Sequence, residues 1–253
     1  SNPHHIPPLH HSNPDYPLNK YCEKVCSPFY NGNKKSRSNL FQILKNDIPR
    51  SMQEKFGLYL IATDPIAGYK TLALAAVECE VRYLQLRMKN ASRKTLLQTA
   101  NLYRKITKGT ATRFIMNDDL SIAIESDADG IHLGQTDLSI SEARQQWNTP
   151  GKLFGLSTHN LEQAARAENL RPDYIGIGPV FPTPTKADAA PALGPEETGR
   201  IAQAVALTAV AIGGITIDNL PALRTAGIDN FCVVSAVNAQ ADPAAAIRRL
   251  QNA

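Results

Sequence analysis

From Gly57 onward the chain alternates between two hydrophobic patterns. Short runs rich in β-branched and aromatic residues are followed by longer stretches of Ala, Leu, Glu and Arg with apolar positions at helical spacing. Strands buried on both faces read as near-continuous apolar runs, whereas a helix with one buried face repeats every three to four residues. The alternation therefore predicts βα units around a parallel sheet. Strands are predicted at Leu58–Ala62, Tyr83–Leu86, Arg113–Met116, Gly130–Leu133, Leu153–Leu156, Tyr174–Ile177, Ala209–Ile212 and Phe231–Val234. Helices are predicted at Thr71–Val77, Arg93–Ile106, Ile140–Trp147, Leu161–Asn169, Pro195–Val205, Asn219–Thr225 and Pro243–Leu250. Eight such repeats within residues 57–253 suit an α/β fold of the compact (β/α)8 TIM-barrel type. The competitor is a doubly wound open sheet, but the first strand is not followed by the G-x-G-x-x-G turn that binds dinucleotides in that architecture.

Residues 1–56 break the pattern. They hold His4, His5, His10 and His11 and seven of the seventeen prolines, a composition that favours extended chain over packed helix. They are read as an irregular N-terminal extension, with residues 57–253 as the barrel domain. Within the extension, Ser38–Lys45 carries Leu40, Phe41, Ile43 and Leu44 and suits a short amphipathic helix. Cys22-x-x-x-Cys26 has no second Cys or His pair at finger spacing, so incidental thiols are favoured over a zinc site. Four cysteines in 253 residues are too few and too scattered for a disulfide framework and are read as reduced.

Charge narrows the partners. The net charge of +4 lies entirely in residues 1–56, with 8 Lys and Arg against 4 Asp and Glu, while the remainder carries 19 of each. A neutral body offers no electrostatic footprint for a polyanion, so a nucleic-acid partner is not expected. No apolar run reaches the roughly 18 residues that span a bilayer, and the start lacks the basic-then-apolar order of a signal peptide. No membrane partner is expected, the expected compartment is the cytoplasm, and a homo-oligomer is left open.

The chemistry is expected where polar residues follow the strands, since barrel enzymes work at the C-terminal ends of their strands. After the second strand, alternation puts Gln85, Arg87 and Lys89 on one side, two cations and an amide suited to a phosphate or pyrophosphate; a solvated strand end is the even alternative. Asn117-Asp118 ends the third strand, and Asp137 follows the fourth. Two carboxylates on neighbouring loops are enough for Mg²⁺, which completes its shell with water and substrate phosphates; for either Asp alone, capping of the next helix is the alternative. Ser157 and His159 follow the fifth strand without a G-x-S-x-G elbow, so Ser157 reads as a hydrogen-bonding hydroxyl and His159 as an acid, a base or a first-turn residue of a helix capped by Ser157 or Thr158. The proline-stiffened loop after the sixth strand presents Thr183, Thr185 and Lys186. Gly213-Gly214 after the seventh strand and Val234-Ser235 at the end of the eighth suit a backbone-amide phosphate cradle. Two anionic ligands side by side point to a transferase.

These motifs resemble the thiamine phosphate synthase family. The residues that carry the resemblance are Gln85-Leu86-Arg87-x-Lys89, Asn117-Asp118, Gly130-x-His132-Leu133-Gly134-Gln135-x-Asp137, Gly155-x-Ser157-x-His159, Gly178-Pro179-x-Phe181-Pro182-Thr183-x-Thr185-Lys186, Gly213-Gly214-Ile215 and Val233-Val234-Ser235. They run in family order through residues 57–253 and leave the extension uncovered; Asp119 falls at a position that varies in the family. The resemblance implies an enzyme of thiamine biosynthesis that joins a hydroxymethylpyrimidine diphosphate to a thiazole monophosphate and releases pyrophosphate. It further implies that Gln85, Arg87, Lys89, Asn117 and Lys186 bind the pyrimidine diphosphate with Ser157 nearby, that Arg87, Lys89, Ser157 and Lys186 serve catalysis, and that Asp118 and Asp137 hold Mg²⁺. Thr183, Thr185, Gly214, Val234 and Ser235 would hold the thiazole phosphate. The implied chemistry is dissociative. A related thiazole phosphate tautomerase would not need the diphosphate cluster, and a catalytically dead barrel signalling through its extension is the remaining alternative.

Overall fold

The computed structural model describes residues 53–185 and 190–253. The expected extension through residue 52, its Ser38–Lys45 helix and its cysteine pair lie outside the described residues, as does Lys186. Eight parallel strands, β1 (Leu58–Ala62), β2 (Tyr83–Leu86), β3 (Arg113–Asn117), β4 (Gly130–Leu133), β5 (Leu153–Thr158), β6 (Tyr174–Ile177), β7 (Ala209–Ile212) and β8 (Phe231–Val233), close into a barrel in sequence order. The ring is completed by β1, which pairs with both β2 and β8. The helices are α1 (Tyr69–Glu78), α2 (Arg93–Thr107), α3 (Leu120–Glu125), α4 (Ile140–Gln146), α5 (Leu161–Leu170), α6 (Pro195–Ala204), α7 (Leu220–Thr225), α8 (Ser235–Asn238) and α9 (Pro243–Gln251). The (β/α)8 barrel expected from the alternation is therefore the fold.

Where the strand ends differ from expectation, polar residues explain it. Asn117 pairs with His132, and Ser157 and Thr158 pair with Gly176 and Ile177, so the ladder continues beyond the apolar run in β3 and β5. Conversely β8 stops at Val233, because Val234 (φ −121°, ψ −86°) leaves the extended region and leads into α8. Neither α3 nor α8 is long enough to display a helical period in the sequence.

Apolar side chains fill two compartments. Residues such as Leu60, Leu84, Phe114, Met116 and Ile131 pack between the strands and the surrounding helices, whereas Tyr59, Ile61, Tyr83, Ile115, Tyr174, Val210 and Cys232 form a separate cluster in the barrel interior. The rings of Tyr59, Tyr83 and Tyr174 meet with centroids 5.5–5.6 Å apart. Such large rings fit because β5 gives way. A Cβ on Gly155 would lie 2.3 Å from Tyr174 Cζ and 2.5 Å from His132 Nδ1. At the N-terminal end of the strands, Asn230 just before β8 ties the chain that leads into the neighbouring β1. Its Oδ1 accepts from the backbone N–H of Phe56 (2.8 Å) and Gly57 (3.1 Å), and its Nδ2 donates to the Glu54 carbonyl (2.8 Å).

Candidate active site

A cavity of about 430 Å³ opens at the C-terminal ends of the strands. It is bordered by Gln85, Arg87 and Lys89 from β2 and its loop, by Asn117 and Asp118 from the end of β3, by Asp137 after β4, and by Ser157 and His159 from the end of β5. Thr183 and Thr185 after β6, Gly214 after β7 and Val234 and Ser235 after β8 close the other side. The barrel thus brings together around one space every site residue read from the sequence that the structure describes.

Two alternatives left open by the sequence are settled by the helix caps. Asp119, not Asp118, caps α3: its Oδ1 accepts from Ile122 N at 2.9 Å. Ser139 caps α4, with Glu142 completing a reciprocal box, so Asp137 is not a cap either. Both remaining carboxylates are turned to other partners. Asp118 pairs with Lys89 and adopts a left-handed backbone (φ 60°), and Asp137 Oδ2 accepts from Gly134 N at 2.7 Å. The left-handed region is uncommon for a non-glycine residue, and strain of this kind concentrates where a side chain must be aimed. At β5 the capping expectation is corrected. Asn160, not Ser157 or Thr158, caps α5, because the strand runs through Thr158. His159 lies just before that cap, with Nδ1 2.7 Å from the Gly178 carbonyl; the ring nitrogen there carries the proton, since a carbonyl only accepts.

Among the described residues no group of three or more His, Cys, Asp and Glu forms a closed metal cage. Two carboxylates bordering one cavity nonetheless fit Mg²⁺, a cation that keeps several waters and takes the rest of its octahedron from substrate phosphates.

The far side is built from backbone. Val180 N donates to the Ile212 carbonyl (2.9 Å), Phe181 N to the Gly213 carbonyl (3.0 Å) and Leu193 N to the Pro179 carbonyl (2.8 Å), which ties the loop carrying Thr183 and Thr185 to the end of β7. Buried Asn238 serves the neighbouring turn. Its Nδ2 donates to the carbonyls of Ile61 (2.8 Å) and Val234 (2.7 Å), and its Oδ1 accepts from Thr63 N (2.9 Å), joining the start of α8 to the end of β1.

A further residue of the site has a role that the residue pattern does not announce. His132 on β4 borders the cavity floor, with Nε2 2.9 Å from Ser157 Oγ and Nδ1 3.2 Å from the Tyr174 hydroxyl, on whose ring it also stacks. Its partners come from β5 and β6, so no local spacing could announce it. Burial pushes its pKa down to about 4, with Asp137 opposing this weakly. The folded protein therefore refuses a proton that the unfolded chain takes up near pH 6.5, and this contribution to stability is present above that pH and lost as pH falls toward 4. The full loss is about 3 kcal/mol by linkage. Urea unfolding of the protein between pH 7 and pH 4 is expected to show this decline, and His132→Gln is expected to flatten it; equal slopes in both proteins would refute the assignment.

Taken with the fold, this arrangement is that of a (β/α)8 barrel with a polar cavity at its C-terminal face, the end where barrel enzymes carry their chemistry. Comparison with known proteins makes the assignment particular. The thiamine monophosphate synthase family model matches residues 58–237. The thiamine-phosphate synthase of Desulfitobacterium hafniense strain Y51 is 37% identical over 204 residues, covering 79% of this chain and 98% of the relative. That of Methanospirillum hungatei JF-1 is 40% identical over 196 residues, covering 76% of this chain and 95% of the relative. The solved thiamine phosphate pyrophosphorylase from Pyrococcus furiosus superposes with a TM-score of 0.68 at 33% identity, covering 78% of this chain and 94% of that one. A 3-hexulose-6-phosphate synthase at 18% identity and a TM-score of 0.56 shares the fold alone. The chain belongs to the thiamine monophosphate synthase family, and it is a transferase of thiamine biosynthesis. Among the described residues no helix is long and apolar enough to cross a membrane.

Proposed function

We propose that the enzyme joins hydroxymethylpyrimidine diphosphate to thiazole monophosphate, with Mg²⁺, to give thiamine phosphate and pyrophosphate. The observation that carries this reading is one cavity bordered by Arg87, Lys89, Asn117, Asp118 and Asp137 from the β2–β4 side and by Thr183, Thr185, Gly214, Val234 and Ser235 from the β6–β8 side, which we read as two anion-binding halves. In this reading Gln85, Arg87, Lys89 and Asn117 hold the pyrimidine diphosphate, with Lys186 added from the family motif. Asp118 and Asp137 would hold Mg²⁺, which supplies charge neutralisation of the departing pyrophosphate. Arg87 enters this half of the cavity without a protein counter-ion among the described residues, so its guanidinium is free to fork onto phosphate oxygens. The short helix α8 directly after β8 repeats the place where such barrels seat a phosphate.

The chemistry follows from what the cavity offers. The C–O bond to pyrophosphate breaks first, leaving an electron-rich pyrimidine methylene cation, and the thiazole nitrogen then captures it. No nucleophile or general base is required of the protein. Arg87 and Lys89 meet the charge developing on the leaving group, and the cradle aligns the acceptor, so catalysis rests on electrostatics and orientation. The test is pyrophosphate release by the purified chain with both substrates and Mg²⁺, each omitted in turn. Release that needs all three is expected; release from the pyrimidine diphosphate alone, or none with all present, would overturn the reading.

A further inference from the structure

A hydrogen-bond chain crosses the barrel interior beneath the cavity and ends at the Ser157 hydroxyl. Gln85 Nε2 donates to the Tyr59 hydroxyl (2.8 Å), the Tyr59 and Tyr174 hydroxyls lie 2.8 Å apart, Tyr174 reaches His132 Nδ1 (3.2 Å), and His132 Nε2 reaches Ser157 Oγ (2.9 Å). Gln85, Tyr59 and Tyr174 are each at most 2% exposed, so every proton in the chain must find an acceptor within it.

That requirement gives the chain a direction. An amide nitrogen only donates, so the Tyr59 oxygen accepts from Gln85 and must send its own proton to Tyr174. Tyr174 then donates to His132 Nδ1, and a neutral imidazole that accepts at Nδ1 carries its proton at Nε2. Burial keeps both phenols protonated, so each has a proton to pass along the chain. We propose that His132, held by this chain as its Nε2–H tautomer, donates to Ser157 Oγ and thereby turns the Ser157 proton into the cavity, which makes His132 a positioning residue for the transfer reaction. Ser157 then meets the ligand as a donor, fitted to an acceptor such as a ring nitrogen or a phosphate oxygen. Glycine at 155 belongs to the same device, since a Cβ there would strike both Tyr174 and His132.

The inference rests on the proposed reaction for its kinetic test but not for its spectroscopic one. In the full chain, ¹⁵N NMR of the ring nitrogens is expected to show His132 protonated at Nε2, and Tyr174→Phe, which removes one buried oxygen, is expected to shift that balance. A proton on Nδ1 in the unaltered protein would overturn the proposal. In kinetics, His132→Phe is expected to lower kcat by about 10- to 100-fold, as loss of an orienting partner does, with His132→Gln restoring most of it through its own N–H. In a Ser157→Ala background the His132→Phe loss is expected to vanish, because its target is gone. Losses that multiply would mean His132 acts independently of Ser157. A chain that makes no thiamine phosphate would refute the proposed reaction instead, and the NMR result would still decide the tautomer.

Discussion

Asp118→Gly is expected to lower pyrophosphate release by about 10²- to 10³-fold, the scale for weakening the stabilisation of developing charge, here through the proposed Mg²⁺, while the folded barrel stays as stable as before. The second half follows from the backbone. Asp118 sits at φ 60°, where a side chain is strained by about 1 kcal/mol or more and glycine is not. Against that relief stand the extra freedom glycine gives the unfolded chain, about 0.5–1 kcal/mol, and the loss of the Lys89 pair. That pair is half-exposed on the Lys89 side and is worth about 0–1 kcal/mol, so the terms offset to within about 1 kcal/mol. The neighbouring Asp119→Ala should do the reverse. It removes the cap of α3 at a cost of about 1 kcal/mol and leaves turnover unchanged, since Asp119 does not border the cavity. Thermal melting and a coupled pyrophosphate assay on both variants check the pair. An active Asp118→Gly enzyme would remove Asp118 from the metal reading, and an inactive Asp119→Ala enzyme would mean the wrong carboxylate had been chosen.

That contrast also marks how far the sequence could be read. Asn117-Asp118-Asp119 offers three polar residues at a strand end, and residue types alone do not say which caps and which faces the ligand. The hydrogen bond from Ile122 N to Asp119 Oδ1 decides the cap, and the left-handed turn at Asp118 leaves that residue bordering the cavity; nothing short of the backbone path shows that turn. The same holds at Asp137 and Ser139, where the capping box claims Ser139 and frees the carboxylate. By contrast the barrel itself was legible, because strands such as Leu58–Ala62 are buried at every position and so carry unbroken apolar runs. The cavity-lining residues were legible for a related reason. Most lie at the end of such a run or in the loop that follows it, and a closed parallel barrel brings all eight strand ends to one mouth. What stayed hidden was the contact across the lumen. His132 meets Tyr174 from 42 residues away, and Tyr59 meets Tyr174 from 115 residues away, joined by closure and by the space that Gly155 leaves, not by any local pattern.

Closure also determines what a single methyl group would do on the β6–β8 side of the cavity. Gly214 has φ 64°, and a Cβ there would lie 2.6 Å from the Pro182 carbonyl oxygen, 2.8 Å from Phe181 Cβ and 3.0 Å from the Phe181 carbonyl oxygen. Two of the three obstacles are backbone, so the clash cannot be relieved by a rotamer change. Either the turn after β7 or the loop after β6 must move, and that loop carries Thr183 and Thr185 while its base is tied to Ile212 and Gly213 by hydrogen bonds. Gly214→Ala is therefore expected to destabilise the protein by about 1–3 kcal/mol, the cost of strained backbone, and to misplace both walls of the half of the cavity proposed for the thiazole phosphate. A displacement of about 1 Å suffices for a loss near 10²-fold in kcat/KM. The loss should appear against the thiazole phosphate, with affinity for the pyrimidine diphosphate in calorimetry little changed, because the β2–β4 half is built from other strands. Gly151→Ala provides the comparison. It has φ 81° but nothing within 4 Å of the new methyl group, so it bears the backbone cost of about 1 kcal/mol without any kinetic effect. Equal KM for the thiazole phosphate in Gly214→Ala and the unaltered enzyme would place that substrate elsewhere in the cavity.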